Sequence, residues 1–336
     1  MAGQAPKNEP GGLTGDSAPP PAAFPHRLSG QDLWVWRSQA IAQAQQAHIA
    51  IAEVDWLLRG LCQIEAISLR LGTLAHQAAV PAQVTLAELT HLWGQRIRDR
   101  IPLQHLVGRT PWRHFNLRVS PAVLIPRPET ELIIDLAVAW VAQSPQREVL
   151  AQGTWVDLGT GSGAIALGLA AALPQARILA VDVSPAALAI ARQNALEHGL
   201  SDRIQFVLGD WFEPLSPWAG HLAAVVSNPP YIPTAVVPTL APEVARHEPH
   251  LALAGGDDWL TAIRHLAQAA PPYLRPGGLW LVEHMAGQSA AVQALLAATG
   301  QFTAIQAERD LAGLERFVTA TYQPVTTDRA VSTAEC

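Results

Sequence analysis

From Thr154 onward, short apolar runs alternate with longer stretches in which apolar positions recur at helical spacing. "TWVDLG", "RILAVDVS", "RIQFVLGD", "LAAVVSN" and "GLWLVEH" read as strands of the kind buried on both faces. "GAIALGLAAAL", "PAALAIARQNALEHG" and "WLTAIRHLAQAA" read as the helices between them. Pro185 stands in the first turn of the second helix and Gly199 at its end, the positions those residues favour. Two last strands, "FTAIQAERD" and "RFVTATY", have only a short connection and are expected to pair antiparallel. The pattern predicts an α/β fold: a doubly wound, Rossmann-like sheet of seven strands with an antiparallel edge.

Residues 29–107 carry a different period and read as a small all-helical domain. Ser29 is a candidate N-cap before Leu33, Trp34, Trp36 and Ile41. Thr85 with Glu88 three residues on forms a capping-box pattern, followed by Leu86, Leu89, Leu92, Trp93 and Ile97 at helical spacing. Between the two regions, "RTPWRHFNLRVSPAVLIPRPETE" alternates apolar and polar residues and is broken by proline. It reads as a β-hairpin linker over 108–126, then a helix starting near Glu129. The second domain is placed at 127–325. Residues 1–28, rich in proline and glycine, and residues 326–336 are expected to be disordered tails.

Composition narrows the function classes. The chain has 336 residues, 49% hydrophobic and 15% charged, with net charge −6, which disfavours a broad nucleic-acid surface. Arg96 to Arg127 is the exception, with seven arginines, readable as a solvated face or as a docking surface for an acidic partner or RNA. Cys62 and Cys336 stand alone, so neither a disulfide framework nor a structural metal site is expected. "HEPH" at His247 to His250 has poor ligand spacing. No run is apolar enough to span a membrane, and a cytoplasmic protein is expected.

Two motifs carry chemistry. "VDLGTGSGAIAL" places Gly159, Gly161 and Gly163 between the first strand and its helix, where backbone amides are open to a ligand. The spacing differs from the dinucleotide fingerprint, and Asp157 before it would repel a pyrophosphate but attract a cation or an amine. Asp182 ends the next strand, about where a ribose-binding acid belongs. These demands fit S-adenosyl-L-methionine, with dinucleotide binding as the competing reading. "SNPPY" then follows the fourth strand of the sheet. The Asn228 side-chain oxygen and the Pro229 carbonyl can accept hydrogen bonds from one planar –NH₂ group, while Pro229 and Pro230 stiffen the backbone and Tyr231 covers the flat face. The target nitrogen is an amide or a nucleobase amine.

The ordered series "RPETE", "DLGTGSGAIAL", "AVD", "GDWF", "SNPPYIP", "EPHLALAGGDD" and "RDLAGLERFV" resembles the HemK/PrmC family of N5-glutamine methyltransferases, over about residues 30–325. The resemblance implies a class I methyltransferase sheet. It assigns cofactor binding to Gly159, Thr160, Gly161, Ser162, Gly163, Asp182, Asn228 and, beside the adenine, Trp211. It implies catalysis by Asn228, Pro229 and Tyr231, with Pro230 completing the amide site. The implied substrate is the glutamine of a Gly-Gly-Gln loop in a peptide chain release factor, docked on the helical domain, with a monomeric enzyme and no metal. Met285 departs from the family, which commonly has glycine there, and puts a local loop shape in question. The competing readings are an adenine N6 methyltransferase acting on DNA or RNA, and a cofactor-sensing module that docks without turnover.

Overall fold

The computed structural model describes residues 24–324. Most of the N-terminal stretch expected to be a tail, and the whole C-terminal one, lie outside them. His26–Leu28 departs from the expectation: it forms a strand, β1, antiparallel to β2 (Val80–Ala82). The first unit is therefore not purely helical. Its helices are α1 (Gly30–Gln46), α2 (Ala52–Leu61), α3 (Ala66–Arg70), α4 (Leu86–Arg98) and α5 (Leu103–Val107).

Local chemistry sets the ends of these helices. Ser29 accepts from the Asp32 amide, and Thr85 and Glu88 form the reciprocal capping box. Leu33 and Trp36 of α1, Leu57 and Leu58 of α2, Leu89 and Trp93 of α4 share one core with Val80 and Ala82. Trp36 and Trp93 meet edge to face at 6.4 Å. These tryptophans are packing residues.

The linker hairpin consists of β3 (Arg109–Trp112) and β4 (Phe115–Arg118), followed by a short 3-10 turn at Glu129–Glu131. The second unit then runs α6 (Leu132–Gln143), α7 (Arg147–Ala151), β5 (Thr154–Leu158), α8 (Ala164–Ala172), β6 (Arg177–Asp182), α9 (Pro185–Glu197), β7 (Ile204–Leu208) and β8 (Leu222–Ser227). It ends with α10 (Pro242–His247), α11 (Thr261–Ala269), β9 (Leu274–Glu283), α12 (Ser289–Ala298), β10 (Phe302–Arg309) and β11 (Glu315–Tyr322).

The seven strands lie in the order β10-β11-β9-β8-β5-β6-β7. The five central and outer strands from β9 to β7 are parallel, and β11 is antiparallel to both β9 and β10. The strand period of two divides the core. Ile178, Ala180, Ala224, Val226, Leu279 and Leu281 face α6 and α8, while Leu179, Val181, Val225, Trp280 and Val282 face α11 and α12. Both faces are covered, which is why the strands read as unbroken apolar runs. Among the described residues, no helix is long and apolar enough to cross a membrane.

The arginine-rich stretch braces the two units. Arg96 is 5% exposed; it forks onto Glu53 of α2 at 2.6 and 3.1 Å and reaches Glu243 of α10 at 2.7 Å. Arg100 joins Glu243, Arg109 and Arg118 share Glu197 of α9, Arg113 meets Asp135 of α6, and Arg127 meets the buried Glu248. Six of the seven arginines thus pair with carboxylates of this chain. Arg98, Arg113 and Arg118 remain exposed, so part of the stretch is a solvated face, but pairing within the chain argues against a free basic docking surface.

Candidate active site

Chain order runs outward from β5 through β6 to β7, then returns to β8 on the other side of β5. The gap beyond the carboxyl ends of β5 and β8 is therefore the switch point at which open α/β sheets bind ligands. Leu158 and Ser227 are register partners across that gap, and the Ser227 hydroxyl donates to the Leu158 carbonyl at 2.7 Å. The next residues are Gly159 on one strand and Asn228 on the other. The two motifs singled out in the sequence leave the sheet side by side.

The glycine turn is held from below. The Gly159 and Thr160 amides donate to the Val181 carbonyl, both at 2.9 Å, and the Gly161 amide donates to Asp182 Oδ2 at 2.8 Å. Gly159, Gly161 and Gly163 have φ of 73°, 55° and 83°, a region costly for other residues. A Cβ on Gly161 would meet nothing within 4 Å, and one on Gly159 would stand 3.7 Å from the Trp211 ring. The turn thus presents bare backbone to an open space, with Trp211 as one wall. Trp211 itself has a φ of 44°, rare for a bulky side chain, and is half-buried.

Thr160 and Ser162 play supporting parts. The Thr160 hydroxyl donates to Asp157 Oδ2 at 2.6 Å, and the Ser162 carbonyl accepts from Asn194 Nδ2 at 2.8 Å. Asn194, fully buried on α9, also exchanges hydrogen bonds with the backbone of Arg118. It fastens the linker hairpin to the glycine turn, a role its place inside a helix did not signal.

The acids around the turn fit a nucleoside better than a pyrophosphate. Asp182 accepts from the Gly161 and Ser184 amides, one on each oxygen, and each oxygen keeps a second acceptor site. Burial raises its carboxyl above the usual range. Asp157 is buried, and its Oδ1 has no hydrogen-bond partner among the described residues. Burial pushes its carboxyl up to about 7, against the lowering hydrogen bonds from Thr160 and Ala166. A buried acceptor in want of a donor suits an ammonium group, and a phosphate there would be repelled.

Asp157 also gives a pH signature. Its folded value lies above that of an exposed aspartate. The stability it leaves intact below about pH 4 is therefore lost as pH rises through about 7. Asp157→Asn is expected to raise the thermal midpoint of the ligand-free protein at pH 8, with a smaller gain at pH 5. Each kcal/mol regained reads as about 2–4 °C. An equal shift at both pH values would remove the ionised carboxylate as the cause.

Around Asn228 the structure adds residues that sequence reading passed over. Asn228 Nδ2 donates to Thr130 Oγ1 at 3.1 Å, and Thr130 Oγ1 donates to Glu283 Oε2 at 2.7 Å. Tyr231 Oη donates to Glu283 Oε1 at 3.1 Å. Glu283 is 1% exposed, and burial pushes its carboxyl up to about 7 despite both hydrogen bonds. Burial and the adjoining Glu283 raise the Tyr231 phenol well above its ordinary value, so it stays protonated.

Pro229 is buried and Pro230 half-buried. Gln288 Oε1 accepts from the Met285 amide at 2.9 Å, and its Nε2 donates to the Tyr231 carbonyl at 3.2 Å. The loop that departs from the family at Met285 therefore keeps hold of the Asn-Pro-Pro-Tyr backbone. The histidines of "HEPH" are engaged elsewhere: His247 with the Asp99 carbonyl, His250 with the Ala245 carbonyl.

Residues 133–310 match the family model described as a methyltransferase small domain. The chain is 48% identical over 294 residues to a release factor glutamine methyltransferase of Synechocystis sp., covering 87% of this chain and 97% of that one. It is 43% identical over 296 residues to the protein of the same name from Thermosynechococcus vestitus, covering 87% and 99%. Among solved structures, the catalytic domain of hMettl16, in complex with an RNA hairpin, aligns with a TM-score of 0.49 at 15% identity, covering 79% of this chain and 88% of that one.

Proposed function

The chain belongs to the release factor glutamine methyltransferase family, and from that premise we propose that it methylates the N5 amide nitrogen of the glutamine in a Gly-Gly-Gln loop of a peptide chain release factor. S-adenosyl-L-methionine, when bound, supplies an electrophilic methyl group on a positively charged sulfur. The observation that carries the reading is the register of β5 and β8, which brings the glycine turn and Asn228 out of the sheet as neighbours. A group held on the turn and a nitrogen held by Asn228 then share one crevice.

The residues divide the work. Asp182 would accept the ribose hydroxyls with the acceptor sites its backbone partners leave free. Trp211 would flank the adenine. Asp157 Oδ1 would receive the ammonium of the methionine end. Gly159 to Gly163 allow close approach by having no side chains.

On the other side of the crevice, an amide nitrogen is a poor nucleophile because its lone pair is delocalised into the carbonyl. Asn228 Oδ1 and the Pro229 carbonyl accept its two N–H bonds, which raises electron density on nitrogen and fixes the direction of the lone pair. The two prolines hold those acceptors before substrate arrives, so little reorganisation is needed at reaction. No side chain has to act as a strong base, since the proton is acidic enough to leave once nitrogen has been alkylated. A glycine-flanked glutamine suits such a site, because neighbours without side chains let the substrate backbone come close. The internal pairing of the linker arginines supports a protein substrate over a nucleic acid. We take the enzyme to work as a cytoplasmic monomer.

The test is methyl transfer from labelled S-adenosyl-L-methionine to a release factor, to its Gln→Ala version and to unmethylated DNA. Label on the first alone is expected; label on DNA alone would overturn the reading. Asp182→Ala is expected to weaken cofactor binding by about tenfold or more, because it removes a charged acceptor and frees the amides of Gly161 in the turn and Ser184 at the start of α9. Calorimetry that finds the affinity unchanged would take Asp182 out of the cofactor site.

A further inference from the structure

An asparagine side chain has two ends of nearly the same shape and opposite hydrogen-bonding sense. If Asn228 is to accept from a substrate –NH₂, its oxygen must face the substrate and its own –NH₂ must face away. A rotation of about 180° would set donor against donor. Nothing in the Asn-Pro-Pro-Tyr backbone decides between the two.

The neighbours do decide. Burial pushes the Glu283 carboxyl up to about 7, and above that pH, once ionised, it can only accept. It takes the hydroxyl protons of Thr130 at 2.7 Å and Tyr231 at 3.1 Å, one on each oxygen. The Thr130 hydroxyl has a single proton, which is spent on Glu283, so toward Asn228 it can only accept. It does so from Asn228 Nδ2 at 3.1 Å. Thr130 is 4% exposed and Glu283 1%, so water is kept from substituting for either partner. The charged groups nearest to Glu283 are Arg316 of β11, whose Nε holds Asp310 at 2.7 Å, and Glu129.

We propose, resting on the amide-methylating reading above, that Thr130 and Glu283 are positioning residues: a one-way relay from Asn228 through Thr130 to Glu283 fixes which end of the Asn228 carboxamide meets the substrate nitrogen. The relay joins the 3-10 turn before α6, the end of β8 and the end of β9, three places far apart in the chain. The same carboxylate holds the Tyr231 hydroxyl, so the acceptor and the covering ring are set by one anchor.

The experiment compares turnover, KM for release factor and cofactor affinity in Thr130→Val, Thr130→Ser and the parent. Valine keeps the shape and loses the hydroxyl. It is expected to lower kcat by about 10–100-fold, the range seen when an outer partner of an active group is removed, with cofactor affinity within about twofold. Serine keeps the hydroxyl and should recover kcat to within about threefold. In an Asn228→Ala background the valine should cost little more, because the group it orients is gone. Thr130→Ala gives the same comparison should valine disturb packing. A kcat for the hydroxyl-free variants within twofold of the parent would overturn the relay, as would a penalty undiminished in the Asn228→Ala background. Absence of transfer by the parent enzyme would instead sink the amide-methylating reading, and the relay with it.

Discussion

Asn228→Ala is expected to bind S-adenosyl-L-methionine as the parent does and to lose about 10²–10³ in kcat, the cost of removing one pre-set contact to a reacting group. The side chain lies past the end of β8, and among the described residues its side-chain hydrogen-bond partner is Thr130. The glycine turn keeps its supports without it: the Val181 carbonyl, Asp182 and the tie between Ser227 and Leu158. Cofactor affinity is therefore expected to hold, even though the family resemblance also gives Asn228 a cofactor contact. What alanine removes is the acceptor for one amide N–H, so the nitrogen is both less electron-rich and less well aimed. Calorimetry with cofactor and a single-turnover assay on release factor separate the two effects. Turnover equal to the parent's would take the asparagine out of the chemistry.

The second large effect comes from a glycine with an unremarkable backbone. A Cβ on Gly255 would lie 2.7 Å from Tyr231 Cα, 2.8 Å from the Pro230 carbonyl oxygen and 2.9 Å from the Trp259 carbonyl oxygen. All three are main-chain atoms, so no side-chain rotation relieves the clash. Leu253 to Gly255 lies beside Ile232 in a short parallel bridge: the Ile232 amide donates to the Leu253 carbonyl at 3.0 Å, and the Gly255 amide to the Ile232 carbonyl at 2.8 Å. Gly255→Ala must push the Pro230–Tyr231 backbone away from this support. A displacement near 1 Å at a reacting group costs about 10² in rate, and the strain costs about 1–3 kcal/mol of stability. We expect kcat to fall on that scale with cofactor affinity kept. An alanine variant with parental kcat would mean that the bridge yields instead of the amide site.

Both positions bear on what the sequence could reveal. Asn228, the glycine turn and Asp182 were legible because each is a local pattern: a strand ends, and an unusual residue follows. The parallel sheet was legible for the same reason, as was the antiparallel pairing of β10 and β11. Gly255 belongs to the "EPHLALAGGDD" motif, but its role depends on a backbone more than twenty residues away. Thr130 and Glu283 are separated by 153 positions and meet only through the fold. Arg96 and Glu243 are 147 apart, so the arginine-rich stretch could be counted but its partners could not. The strand at His26–Leu28 was hidden by proline-rich surroundings, and its partner is itself centred on Pro81. The helix α12 went unread because its alanine-rich "SAAVQALLAA" shows little contrast between faces.

The Arg96 brace has a mechanical meaning. It joins α2 and α4 to α10, and α10 belongs to the segment that runs from Tyr231 to Gly255. A buried, forked ion pair of this kind resists sliding, since parting it would strand a charge away from water. The gap between the helical unit and the amide site therefore has the rigidity of a caliper. Any substrate that touches both jaws must carry its glutamine at a set reach, and one residue more or less in between would leave the nitrogen short of, or beyond, the point of transfer.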